Sequence, residues 1–213
     1  NFLSLKYKNQ ILESIKSYTF SVCKKNIKDI LFLSSTDLKG TIIESIYKKL
    51  NPSKYIGKNL YTIDLYTSNE ALSPFKIIHY GANNKINQGI DWHIDKKITN
   101  GDEYNMIITL FDTSDSIFIY KSDKTIKFYK LPILSAEIHN KGKIPHKVIK
   151  QTYGERISLV FSYSTHQQKN TLTNKISNIY HNIQLYLPIN KKCLVIGGIN
   201  GIGGEIVRIL NQI

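Results

Sequence analysis

Apolar patterning predicts a mainly β domain of the α+β class: an antiparallel sandwich, jelly roll or barrel braced by N-terminal helices. Three observations lead there. Residues 1–50 carry helical periodicity, and residues 55–165 break into short β-rich segments separated by turn residues. The third is size and composition: 213 residues, 41% hydrophobic and 21% charged, suit a globular chain of one ordinary-to-large domain and the start of a second.

In NQILESIKSYTF, Ile11, Leu12, Ile15 and Phe20 fall near one helical face. TDLKGTIIESIYKKLNP opens on cap-competent Thr36 and Asp37, ends in Lys48 and Lys49 and stops at Pro52. Its Ile42, Ile43, Ile46, Tyr47 and Leu50 form one stripe, suited to packing on a sheet. Candidate strands then follow as KNLYTIDLYT, PFKIIHYG, GIDWHID, YNMIITLFD, SIFIYKS, TIKFYKL, SAEIHN, HKVIK and RISLVFSYS. Many short strands with polar turns bury their apolar faces best in a double-layered or closed antiparallel architecture. Residues 166–190 are polar, rich in Asn and Gln and weakly periodic, and read as a linker.

A net charge of +13 raises the question of a polyanionic partner. The basic residues answer it. Only Arg156 and Arg208 are arginine, whereas phosphate and base recognition favours the planar arginine fork. The lysines are scattered as pairs without a long basic block, as on a solvated surface, so nucleic acid is the minority reading. No apolar run is long enough to span a bilayer, and no signal peptide is legible, so no membrane partner is expected. Cys23 and Cys193 give no disulfide framework and fit a reducing compartment, hence an intracellular, cytoplasmic protein. The chain opens on Asn1 rather than Met, as a fragment would.

The chemistry begins at DWHID. On a strand, His93 and Asp95 at i and i+2 project from one face, and imidazole plus carboxylate is two thirds of the set that holds non-haem Fe(II). A third ligand is available in IPHKVIK as His146, at 146 − 93 = 53 positions further on. Arg156 follows at 156 − 146 = 10 positions, in GERISLVF, with Ser158 on the same strand face. An arginine inside an apolar strand is costly unless an anion pairs with it, so RISLVF asks for a carboxylate or phosphate.

Taken in order, H93-x-D95, the distal His146 and R156-x-S158 resemble the Fe(II)- and 2-oxoglutarate-dependent oxygenases, closest to the prolyl-4-hydroxylase-like branch. The resemblance covers roughly residues 60–165 and assigns residues 1–165 to the oxygenase domain. It implies a double-stranded β-helix, or jelly roll, with supporting N-terminal helices. It also implies that His93, Asp95 and His146 ligate Fe(II), and that Arg156 and Ser158 hold the remote carboxylate of 2-oxoglutarate. Such enzymes couple conversion of 2-oxoglutarate to succinate and CO2 with hydroxylation of a substrate C–H, and ascorbate can serve as accessory reductant. Tyr80, in KIIHYG, stands where the branch carries a tyrosine facing the co-substrate, and Thr109 is placed to donate to it from the next strand; for each, ordinary packing explains the residue equally well.

Other residues carry less. Trp92 alternates with His93 and is expected to pack away from the metal. His79 is expected to point opposite to Tyr80. His139 is the one rival to His146, but it lacks an arginine at the matching spacing. The branch often has a tyrosine three positions before the first ligand, where this chain has Ile90. The implied substrate is a peptidyl residue such as proline, or a small metabolite or sugar. The alternative is a nucleic-acid-binding protein or a nucleic-acid demethylase of the same fold, which strongly salt-dependent binding would reveal.

The tail KKCLVIGGINGIGGEIVRIL, within residues 191–213, reads as strand, glycine turn and helix. Gly197, Gly201 and Gly203 resemble the opening of short-chain dehydrogenases/reductases, with Ile196 where a threonine is common. One such unit lacks the ribose-binding acidic residue and the rest of a parallel sheet, so NAD(P) binding is expected only with a complete second domain.

Overall fold

The computed structural model describes residues 3–22, 30–81, 89–122 and 125–167. The linker from residue 168 onward and the glycine-rich tail lie outside the described residues, as does Cys23.

Chain order begins with α1 (Leu5–Ile15), β1 (Ser21–Val22), β2 (Ile30–Leu33), α2 (Ile42–Lys49), α3 (Ser53–Ile56) and β3 (Tyr61–Thr62). It continues through β4 (Phe75–Tyr80), β5 (Ile90–His93), β6 (Glu103–Asp112), β7 (Phe118–Ser122), β8 (Thr125–Tyr129), β9 (Ala136–Lys141), β10 (His146–Val148) and β11 (Arg156–Ser164). Two antiparallel sheets result. The major sheet runs β1-β2-β4-β11-β6-β9, with β3 also paired to β11, and the minor sheet runs β5-β10-β7-β8. Together they make the jelly-roll, double-stranded β-helix architecture, with helices on one side.

Strand alternation divides the apolar residues between two cores. One face of the major sheet presents Leu33, Phe75, Ile77, Met106, Ile108, Leu159 and Phe161, and there α1 seats Ile11 and Ile15 while α2 seats Ile43, Ile46 and Tyr47. Tyr47 also ties α2 down by polar contact, since its hydroxyl donates to Ser162 O and accepts from Ile63 N, each at 2.7 Å. The other face packs Ile78, Tyr80, Ile107 and Val160 against Phe118, Tyr120 and Val148 of the minor sheet. Burying both faces is why β4, β6 and β11 read as nearly continuous apolar runs. Most polar interruptions of these strands fall on the inner face, and they mark the site described below.

Two expectations need correction. Residues 1–50 are not mostly helical, because ILFL forms β2 and pairs with β4 in the register Ile30↔Tyr80. A short apolar run buried on both faces has no periodicity to separate strand from helix. The second helix also starts later than Thr36. Gly40 takes a left-handed φ of 75°, and Thr41 is the cap, its side chain accepting from Ile43 N. Asp37 instead accepts from Ser34 N at 2.7 Å and closes the preceding turn.

Glu44 on α2 is buried, and burial alone would raise its carboxyl. Hydrogen bonds from Lys48 at 2.5 Å, from the Tyr66 hydroxyl and from Gly40 N at 2.6 Å outweigh burial and lower it to about 2. A depressed carboxyl stabilises the fold above its unfolded value near 4.5 and loses that contribution as pH falls toward 2. Glu44→Gln should therefore lower stability at neutral pH by about 2 kcal/mol. It should also flatten the decline between pH 5 and 3 (roughly the window those two values bracket), as read by denaturant titration at each pH. Parallel pH profiles for parent and variant would refute this account of Glu44.

Candidate metal centre and acid-binding pocket

The minor sheet brings the two histidines together through backbone pairing. His93, the last residue of β5, is the Cα partner of His146, the first residue of β10. Their rings lie 4.2 Å apart between centroids. Asp95 falls just beyond the end of β5 rather than on the strand. The chain continues there without turning back, so the carboxylate still reaches the histidines. Asp95 Oδ1 is 3.6 Å from His93 Nε2, and Oδ2 is 3.8 Å from His146 Nε2. One ligand atom from each of the three residues lies within 4.8 Å of the others.

Both histidines are orientated alike. His93 Nδ1 donates to Asp91 O at 2.8 Å, and His146 Nδ1 donates to Ile144 O at 3.0 Å. With Nδ1–H committed to a carbonyl, each ring turns the lone pair of Nε2 toward the carboxylate, the arrangement that imidazole metal ligands use. Burial depresses His146, against the pull of the Asp95 charge, which keeps that lone pair free. For Asp95, burial would raise the carboxyl, but His139, His146 and Lys76 outweigh it and hold the group far below its ordinary value. Two neutral imidazoles and one carboxylate on one side of a shared point fit a facial Fe(II) site.

Sequence reasoning undervalued His139. It sits on β9, buried, with Nε2 3.7 Å from Asp95 Oδ2 and Nδ1 3.2 Å from Glu137 Oε1. Burial would lower it, yet the two carboxylates raise it to about 9. The three ligand atoms that converge do not include one from His139, which is a charge partner of Asp95. The available signal was EIHNK, in which Glu137, His139 and Lys141 alternate onto the inner face. Tyr120 was missed as well. Its ring sits 5.9 Å from that of His146 and 5.7 Å from that of His139, and burial together with Glu137 pushes its hydroxyl far up, leaving it a neutral donor. Trp92 does point away from the centre, but at 40% exposure under Lys147 it is a surface ring, not packing. His79 faces outward and pairs with Glu155 at 2.7 Å.

The second half of the site is a buried arginine. Arg156, at the start of β11, is only 2% exposed, and its guanidinium lies 4.4 Å from the ring centres of both Tyr80 and Phe118. Its Nε and one terminal nitrogen have no hydrogen-bond partner among the described residues. Ser158 Oγ and Thr109 Oγ1 are likewise buried and unpartnered, on residues that are Cα partners across β11 and β6. A register shift between Ile157 and Ser158 is what sets Thr109, rather than Leu110, opposite Ser158. Buried polar groups are rarely left unpaired, and a buried cation without an anion costs several kcal/mol. This group of donors is therefore built for an anion, and a carboxylate suits its geometry. Tyr80 supplies a ring face to the arginine.

Ser158, His93, Asp95 and His146 line one pocket of about 70 Å³ together with Tyr80 and Phe118. It adjoins a cleft of about 120 Å³ lined by Lys76, Ile94, Lys96 and Lys141. A larger apolar groove of about 440 Å³ lies under α1, lined by Leu12, Phe20 and His79 among others, and contains none of these ligands.

The fold is the one found in solved 2-oxoglutarate-dependent oxygenases. An oxidoreductase of the 2OG-Fe(II) oxygenase family from Burkholderia pseudomallei superposes with a TM-score of 0.56 at 15% identity, over 77% of this chain and 80% of that one. A Pseudomonas putida prolyl-4-hydroxylase gives 0.50 at 11% identity, covering 78% and 89%. A Trichoplax adhaerens prolyl hydroxylase in complex with a hypoxia inducible factor oxygen degradation domain peptide fragment gives 0.52 at 14%, covering 78% and 81%. At these identities the likeness is one of fold. No protein-family profile and no curated protein matches the sequence.

Proposed function

We propose that residues 1–165 form an Fe(II)- and 2-oxoglutarate-dependent dioxygenase that hydroxylates a peptidyl residue such as proline, or a small metabolite, with release of succinate and CO2. The observation that carries this reading is the coincidence of two halves. The Nε2 atoms of His93 and His146 converge with the Asp95 carboxylate, and a buried arginine, with nitrogens unpartnered among the described residues, packs on Tyr80 and Phe118, which line the same pocket. A metal with carboxylate-bearing co-substrate uses both halves; a non-catalytic jelly roll uses neither.

The protein's part is orientation and exclusion of water. Arg156 receives the remote carboxylate of 2-oxoglutarate in a two-pronged hydrogen bond, with Ser158 and Thr109 hydroxyls as further donors. The rings of Tyr80 and Phe118, each 4.4 Å from the guanidinium carbon, keep its surroundings apolar, which strengthens its hold on the anion. His93, Asp95 and His146 would hold Fe(II), which with bound 2-oxoglutarate supplies the oxidising chemistry. The adjoining cleft beside Asp95 receives the substrate.

Anaerobic Fe(II) and 2-oxoglutarate should give the weak visible charge-transfer band of a chelated complex. In air, the loaded protein should release succinate slowly without added substrate. Purified protein that shows neither band nor succinate would remove the assignment.

A further inference from the structure

Asp95 is held from behind by a chain of buried polar groups that the proposed reaction leaves unused. Asn105 Nδ2 donates to Asp95 Oδ2 at 2.6 Å. Ser162 Oγ donates to Asn105 Oδ1 at 2.7 Å, and Lys141 Nζ donates to Ser162 Oγ at 3.4 Å. All three residues are buried, and β pairing sets them side by side: Asn105 is the Cα partner of Ser162 on one neighbour strand and of His139 on the other. Lys141 is itself seated 3.5 Å from Glu103 Oε2, and Glu103 Oε1 accepts from the backbone N–H of Ile98 and Thr99, just beyond Asp95.

The direction of the chain follows from donor chemistry. An ammonium group only donates, so the Ser162 oxygen accepts from Lys141 and its single proton goes forward to the Asn105 carbonyl. That contact fixes which end of the amide faces the site, leaving Nδ2 to face Asp95. The opposite orientation would set the amide oxygen against the carboxylate and repel it. Burial lowers Lys141 to about 8, with the nearby Lys76 charge adding to the effect, and it is still a cation at neutral pH. The carboxylate has two oxygens, and they have different company: Oδ2 takes the Asn105 bond and lies 3.8 Å from His146 Nε2 and 3.7 Å from His139 Nε2, while Oδ1 lies 3.6 Å from His93 Nε2 and accepts no hydrogen bond among the described residues.

We propose that Asn105 is a positioning residue: held by Ser162 and Lys141, it engages Asp95 Oδ2 and so leaves Oδ1 as the oxygen offered to the metal. The proposal rests on the metal centre argued above. Without the amide, Asp95 loses its 2.6 Å anchor and is free to rotate, and the ligand set loosens. Hydrogen-bond partners behind a metal ligand commonly govern affinity by about 10–100-fold.

The test is Co(II) binding by calorimetry and by visible absorption, with neither 2-oxoglutarate nor turnover involved. Asn105→Leu has similar shape and no donor. It should bind Co(II) about 10–100-fold more weakly than the parent, with an altered cobalt spectrum. Ser162→Ala should show a smaller loss in the same direction, Ser162→Thr should restore parental affinity, and the Asn105→Leu/Ser162→Ala pair should be no worse than Asn105→Leu alone, as for members of one chain. If Asn105→Leu fails to fold, the two Ser162 variants carry the test. Parental affinity and spectrum in Asn105→Leu, or in Ser162→Ala where that variant carries the test, overturn the positioning role and leave the metal centre standing. A parent that binds no Co(II) overturns both.

Discussion

Asp95→Asn should fold, keep its shape and lose its metal. The amide has nearly the volume of the carboxylate and retains an oxygen to accept the 2.6 Å bond from Asn105. What disappears is the one negative charge in the ligand set, and with it the strongest interaction a hard divalent ion has there. Affinity for Fe(II), Mn(II) or Co(II) should fall by at least about a hundredfold, or roughly 2.7 kcal/mol. His93→Gln and His146→Gln should lose metal comparably, because each removes an Nε2 donor already aimed by its Nδ1 bond to a carbonyl. His139→Gln should lose about tenfold or less, since that ring is charged and bears on Asp95 rather than on the metal. Calorimetric titration of the four variants gives the ranking. Parental affinity in Asp95→Asn would sink the centre, and a His139→Gln loss equal to that of His146→Gln would move His139 into the ligand set.

The same contrast between His146 and His139 shows where the sequence was readable. Ordered spacing picked out His93, Asp95, His146 and Arg156; a local period of two sets the direction of His93, His146 and Arg156, while Asp95 reaches the histidines from just beyond the end of β5. The jelly-roll class was legible for the same reason: RISLVFSYS and YNMIITLFD are long enough to declare themselves. Cross-strand neighbours were not legible. His139 becomes part of the site only because β9 pairs with β6 in the register Asn105↔His139, and no local pattern encodes that pairing. Tyr120 is likewise placed by its pairing with His146. ILFL escaped because four apolar residues fit a buried strand and a helical turn equally well. Asn105 and Ser162 give no local signal; their meaning lies in a 2.7 Å contact between residues 162 − 105 = 57 positions apart.

Arg156→Met should abolish 2-oxoglutarate binding and at the same time stabilise the ligand-free protein. The guanidinium is buried against Tyr80 and Phe118, with two nitrogens unpartnered among the described residues, so the fold bears a desolvated charge that the proposed co-substrate would neutralise. Methionine keeps the unbranched stem against both rings and removes the charge, a change that in buried ionic sites is often worth about 1–4 kcal/mol of added stability. Arg156→Lys separates charge from geometry. It keeps the cation but loses the planar fork, so co-substrate affinity should fall by about tenfold to a hundredfold rather than vanish. Thermal unfolding with and without 2-oxoglutarate, in the presence of Mn(II), reads both effects at once. The parent should gain melting temperature with co-substrate, Arg156→Lys should gain less, and Arg156→Met should start higher and gain nothing. A methionine variant less stable than the parent and still shifted by 2-oxoglutarate would show that the arginine serves the fold rather than the co-substrate.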